Sequence, residues 1–123
     1  MRKPFLLAAF AGALLTLPTL ALADEPATTK NGMLVDAQGM TLYAYDKDSA
    51  GKSACNGQCA ANWPPLAAAA GAKGDGAWTV IKRDDGSAQW AYAGKPLYTF
   101  VQDKQAGDIT GDGKMGVWHI AKP

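Results

Sequence analysis

A ten-residue pattern recurs along the chain. Gly39-Met-Thr-Leu42-Tyr43-Ala-Tyr45-Asp-Lys-Asp48 returns as Gly94-Lys-Pro-Leu97-Tyr98-Thr-Phe100-Val-Gln-Asp103, with every matched position displaced by 55 residues. Trp63 and Trp118 keep the same displacement, so the match extends past one short run into a loop and a further element. Such self-similarity marks an internal duplication, and it restricts the fold to two related halves. Neither half is long enough to bury the apolar surface that an independent unit needs, so the two are expected to share a core.

The N-terminus carries an export signal. Met1-Arg2-Lys3 is a short cationic start, Phe5 to Leu22 is dominated by Ala and Leu, and Ala21-Leu22-Ala23 is a small-x-small cleavage site. Gly12, Thr16, Pro18 and Thr19 interrupt the apolar run, and no basic stop-transfer cluster follows, which argues against a permanent membrane anchor. Residues 1–23 therefore read as a signal peptide and residues 24–123 as one secreted domain, periplasmic or fully secreted and monomeric. Cleavage removes two of the 12 basic residues and leaves 10 against 11 acidic ones, with the signs interspersed. That balance supplies no electrostatic footprint for nucleic acid.

Strand and turn signals alternate through both halves. Asp24 to Thr29 is a polar leader with little to pack, and Asn31-Gly32 is a hairpin turn leading into the short strand Met33-Leu34-Val35. Asp36 to Gly39 is a second turn, followed by a strand from Met40 to Tyr45. Period-two alternation puts Leu42 on one face of that strand and Tyr43 with Tyr45 on the other. In the second half, strands are expected over 78–83, 89–92 and 95–101, with turns at Asp84-Asp85-Gly86 and Ala93-Gly94. The Ala- and Gly-rich stretch 67–76 reads as a linker, Ala106 to Met115 as a loop, and at most one short helical turn is expected near residues 55–61. Repeat one thus spans about 30–66 and repeat two about 78–123.

The chemistry-bearing residues are few. In each motif the carboxylate, Asp48 or Asp103, follows a tyrosine that needs a hydrogen-bond partner when buried, so a Tyr–Asp clasp at the end of the motif strand is the structural expectation. As a functional alternative, the paired rings and the carboxylate form a binding surface for glycan or another envelope protein. Phe100 in place of the second tyrosine argues against a chemical role for that hydroxyl. Cys55 and Cys59 are an even pair in an exported chain, for which a local disulfide is expected, adding roughly 2 kcal/mol in the chain-entropy model. The competing reading is copper binding or thiol redox through Cys55, Cys59 and His119, the one histidine. Asp108-Ile-Thr110-Gly-Asp112-Gly113 resembles the opening of a calcium loop, but His119 stands where the closing bidentate Glu is required. Asp84-Asp85 is explained by its turn, and nothing places a nucleophile or base beside His119, so no enzymatic site and no cofactor is assigned.

Beyond the motifs themselves, Cys55-x-Gly57-x-Cys59-Ala60-x-x-Trp63-Pro64-Pro65, Trp90-x-Tyr92, Gly107-Asp108-x-Thr110-Gly111 and Gly116-Val117-Trp118 complete a specific pattern. With Tyr43-x-Tyr45-x-x-Asp48 and Tyr98-x-Phe100-x-x-Asp103, the chain resembles the bacterial secreted-repeat proteins, predicted lipoproteins with a tandem Y-x-[FWY]-x-x-D motif. That resemblance implies an exported repeat protein and no particular activity. No cysteine sits just after the cleavage site to carry a lipid.

The expectation is an all-β protein of about eight short strands. Two pseudo-symmetric meanders close over a common aromatic core as a sandwich or barrel, with Trp63 and Trp118 as equivalent anchors and Leu42 and Leu97 beneath them. Its role is a non-catalytic binding or structural module of the envelope.

Overall fold

The computed structural model describes residues 26–123; the expected signal peptide, residues 1–23, and the first residues of the polar leader lie outside them. The elements, in order, are β1 (Thr28–Lys30), β2 (Met33–Val35), β3 (Tyr43–Tyr45), α1 (Gln58–Asn62), β4 (Trp78–Lys82), β5 (Ala88–Tyr92), β6 (Lys95–Pro96), a turn of 3₁₀ type at Lys114–Gly116, and β7 (Trp118–Ile120). All strand pairing is antiparallel: β1 with β2, β3 with β7, and β4–β5–β6 as a meander. Isolated bridges join these small sheets, and among the described residues no barrel closes.

The duplication is present in space, but the copies are interlocked rather than side by side. β3 of repeat one pairs with β7 of repeat two, Tyr43 opposite Ile120. Moving each partner by the repeat displacement gives the other pairing: Tyr98 of repeat two bridges Pro65 of repeat one. Between them the two motif tyrosines exchange both backbone bonds, Tyr43 N–H to the Tyr98 carbonyl at 2.8 Å and Tyr98 N–H to the Tyr43 carbonyl at 3.0 Å. This pair marks a local twofold axis. Each motif segment is thereby flanked by the other motif and by the Trp-bearing segment of the other repeat.

Two buried clusters flank these central segments, as the alternation of Leu42 against Tyr43 and Tyr45 requires. One holds Leu34, Leu42, Trp78, Leu97 and Ala121, and the other Tyr43, Cys55, Trp63, Tyr98, Phe100 and Trp118. Leu42 and Leu97 therefore do not lie beneath the tryptophans. They pack on the opposite face, against Trp78, because a one-residue step along an extended segment reverses the side-chain direction.

Three local differences from the sequence expectation have physical causes. The segment 95–101 is a strand only at Lys95–Pro96, since Pro96 has no N–H and the partner changes soon after it: Leu97 N–H still goes to Trp90 of β5, but Tyr98 N–H goes to Tyr43 and Thr99 N–H to Pro64. The described part of the leader is structured, because Thr28–Lys30 pairs with β2 and Ala27 is buried in the Leu42 cluster. The linker is partly paired as well: Ala67 bridges Gln89 and Ala68 N–H reaches the Ala88 carbonyl, so the chain leaves repeat one along the edge of β5.

Trp118 is fully buried and contacts three other aromatic rings. Trp118→Ala should lower the unfolding free energy by about 3–5 kcal/mol, the range for large aromatic-to-Ala changes in cores. Urea titration measures it, and a midpoint like that of the unsubstituted protein would contradict the packing described.

Candidate functional site

The tandem motif builds a crossed clasp. Tyr43 donates its hydroxyl to Asp103 Oδ2 at 2.7 Å, and Tyr98 donates to Asp48 Oδ2 at 2.6 Å. Each tyrosine is held by the carboxylate of the other repeat, not by the one in its own motif. The expectation of a clasp within one motif is thus corrected: the extended backbone carries Asp48 away from Tyr43 and towards Tyr98, which lies beside Tyr43 across the twofold axis. Each carboxylate uses its second oxygen on its own loop. Asp48 Oδ1 accepts the Ala54 N–H at 2.7 Å, while Asp103 Oδ1 accepts the Thr110 N–H at 2.9 Å and hydroxyl at 2.6 Å.

Burial, with the neighbouring carboxylate second, pushes both phenols far above their ordinary value of 10.0. Burial also raises the Asp48 carboxyl above the usual carboxylate range, against the opposing pull of the Ala54 N–H, the Tyr98 hydroxyl and the Arg83 charge.

The loops behind the two clasps differ. On the Tyr43 side the third partner is backbone: Gly111 N–H donates to the Tyr43 oxygen at 3.2 Å. A Cβ on Gly111 would stand 2.7 Å from Trp63 Cη2, so only glycine brings that amide close enough. On the Tyr98 side the third partner is Ser53, 2.7 Å from the phenol oxygen. Because the single phenol proton goes to Asp48, Ser53 is the donor there, and its oxygen accepts from Arg83 at 3.0 Å and from the Cys55 N–H at 3.2 Å. Arg83 is itself buried, giving its remaining bonds to Gln89 Oε1 at 2.7 Å, the Cys55 carbonyl and Asn56. Sequence inspection missed Ser53, Arg83 and Gln89. A signal existed: Arg83 lies two residues after buried Ile81 and Gln89 two before buried Ala91, so alternation places both on inward-facing positions.

Cys55 and Cys59 are bonded to each other, and Cys55 packs within the aromatic cluster. His119 lies on the outward face of β7, with Nε2 2.8 Å from Asp46 Oδ2. Among the described residues no three His, Cys, Asp or Glu side chains are grouped to hold a metal ion. In the calcium-like loop, Asp108 Oδ2 accepts the Lys104 and Gln105 amides, Asp112 Oδ1 accepts the Ile120 amide and the Thr110 hydroxyl donates to Asp103, so each candidate side chain is engaged within the protein. Asp84 pairs with Lys52 and Asp85 caps Ser87, contacts that hold both carboxyls below the ordinary range.

Next to the clasps, on the side of His119, lies an open groove of about 560 Å³ lined by Tyr45, Asp46, Tyr92, Lys95, His119 and Lys122 among others. Among the described residues neither the Tyr45 nor the Tyr92 hydroxyl has a hydrogen-bond partner. No described helix is long and apolar enough to cross a membrane.

A family model described as a secreted repeat of unknown function matches residues 26–67 and again residues 79–122. The two matched blocks coincide with the two interlocked copies, and the chain belongs to that family of secreted repeats. Neither the curated proteins nor the solved structures contain a match to it.

The crossing makes a specific demand on a double-mutant cycle. Tyr43→Phe combined with Asp103→Asn should be non-additive by about 1 kcal/mol, whereas Tyr43→Phe with Asp48→Asn should be additive to within about 0.5 kcal/mol. Coupling of Tyr43 to Asp48 in place of Asp103 would contradict the exchange. The phenols add a pH dependence of definite sign. Their folded values lie above the unfolded value of 10.0, so their contribution is complete below that pH and is lost as pH rises past it. Thermal melts taken from pH 8 to 11 should show a steeper alkaline loss in the unsubstituted protein than in the Tyr43→Phe, Tyr98→Phe pair.

Proposed function

We propose that the protein is an exported, non-catalytic module of the cell envelope. It is freed as residues 24–123 by removal of residues 1–23, and it binds a glycan in the groove beside His119. The observation that carries this reading is the composition of that groove. Two tyrosines whose hydroxyls have no partner among the described residues, the His119–Asp46 pair and the Lys95 and Lys122 ammonium groups line a concavity of about 560 Å³. A sugar ring offers an apolar C–H face and hydroxyls at its edge, and aromatic rings beside planar acceptors and donors suit both. The family's description as secreted supports an exported position, and the interspersed charges suit a neutral or zwitterionic polymer better than a polyanion.

Catalysis finds no support in the interior. Half-buried Asp48 and buried Asp103 are each committed to a tyrosine and to loop amides, so neither stands free as an acid or base.

Co-sedimentation with purified, insoluble cell-wall glycan tests the proposal. The protein should pellet with the glycan, and His119→Ala with Lys95→Glu should weaken retention about tenfold, equivalent to roughly 1.4 kcal/mol. Both side chains are exposed, so the melting temperature should not change. A protein that stays in the supernatant, or a double variant that binds undiminished, would refute it.

A further inference from the structure

Four aromatic rings form a continuous stack through the core: Phe100 on Trp63 at 4.0 Å between centroids, Trp63 on Trp118 at 3.8 Å, and Trp118 on Tyr45 at 4.2 Å. The two indoles are almost parallel, at 4°. Each also receives one clasp phenol edge-on, Tyr43 against Trp63 at 5.4 Å and Tyr98 against Trp118 at 5.2 Å. One end of the stack, Tyr45, lines the groove, and the other is capped by the Lys114 ammonium 5.7 Å from the Phe100 ring.

Packing alone accounts for buried rings, but not for the conjunction seen here. Overlapping π systems share a missing electron, so a stacked indole pair is easier to oxidise than either ring alone. A phenol resists oxidation mainly because its cation is a very strong acid. That barrier falls when a carboxylate at hydrogen-bond distance takes the proton as the electron leaves. Tyr43 and Tyr98 are both arranged in this way, beside the indole pair and shielded from water.

We propose that the core is a one-electron relay and sink, in which a hole entering at the groove through Tyr45 passes to the Trp118–Trp63 pair and ends as a neutral phenoxyl radical on Tyr43. The oxidant is an outer-sphere one-electron acceptor reaching the groove. In the first step it gains one electron and the indole pair becomes a radical cation. In the second, Tyr43 gives an electron to the indole pair and its hydroxyl proton to Asp103. The products are neutral Trp63 and Trp118, the Tyr43 phenoxyl and the protonated Asp103 carboxyl. A buried fixed charge sets the direction. Oxidation raises the charge of a clasp by one unit, and Arg83, bonded through Ser53 to the Tyr98 clasp, disfavours that change there and leaves Tyr43 as the terminus. The relay requires no bound glycan, although both would use the groove at Tyr45.

Flash-quench oxidation with photogenerated ruthenium(III) tris-bipyridine, followed by transient absorption and electron paramagnetic resonance, tests the relay. An indole radical should form first and convert to a phenoxyl radical, more slowly in D₂O because a proton moves with the electron. Tyr43→Phe should lower the phenoxyl yield severalfold and lengthen the indole radical's life, while Trp90→Phe, outside both the stack and the groove, should change neither. An undiminished phenoxyl yield in Tyr43→Phe would overturn the proposal. So would conversion at equal rates in H₂O and D₂O in the unsubstituted protein, a measurement that needs no variant to fold.

Discussion

The exchange of partners between the two motifs is the constraint on which the rest of the structure depends. A phenol buried beside an indole must donate its proton to something, and in this chain the acceptor lies in the other repeat. Leaving such a donor unsatisfied costs roughly 1–3 kcal/mol, so neither motif can be buried before its counterpart arrives. The backbone imposes the same condition, because the Tyr43–Tyr98 pair and the two Trp-segment pairings all run between repeats. Duplication here did not produce two units in a row. It produced two halves of one core, each incomplete without the other.

Magnitudes separate what stabilises this core from what aligns it. A net hydrogen bond contributes about 1 kcal/mol, whereas each aromatic pair adds about 0.5–1.5 kcal/mol beyond the burial of its rings. With four stacked rings and two edge-on phenols, the aromatic contacts outweigh the two clasps in stability. The clasps supply register instead. A slip of one residue would turn Tyr43 towards the Leu42 cluster and strand its hydroxyl among apolar side chains. The stack provides the depth of the energy well and the carboxylates choose its position.

Much of this was legible in the sequence, and what was not had a common cause. The displacement announced the duplication, Asn31-Gly32 its hairpin, and alternation the split between Leu42 and Tyr43. Trp63 and Trp118 could be named as equivalent anchors, and Cys55 with Cys59 as a bridge. None of these signals says which copy a side chain meets. A repeat in sequence is symmetric under exchange of partners, so Tyr43 with Asp48 and Tyr43 with Asp103 look identical until the path of the backbone is known. Arg83 was hidden differently: a charged residue at a strand end is ordinarily solvated, and only the combination of Ser53, Gln89 and the Cys55 carbonyl makes its burial tolerable.

The departures from symmetry locate function better than the symmetry does. Where both copies agree, in the tyrosines, the carboxylates and the tryptophans, packing requires agreement, because the same contacts are made twice across one axis. Where they differ, the protein has specialised. One clasp rests on a glycine amide and the other on a buried arginine and a disulfide-closed loop. One end of the ring stack carries Phe100 under a lysine, and the other carries Tyr45 at the edge of an open groove. A purely structural core has no need of a hydroxyl at Tyr45, since Phe100 makes the equivalent stack without one. The extra oxygen lies on the side where the groove opens and where His119 meets Asp46, the side on which the proposed glycan binding would occur.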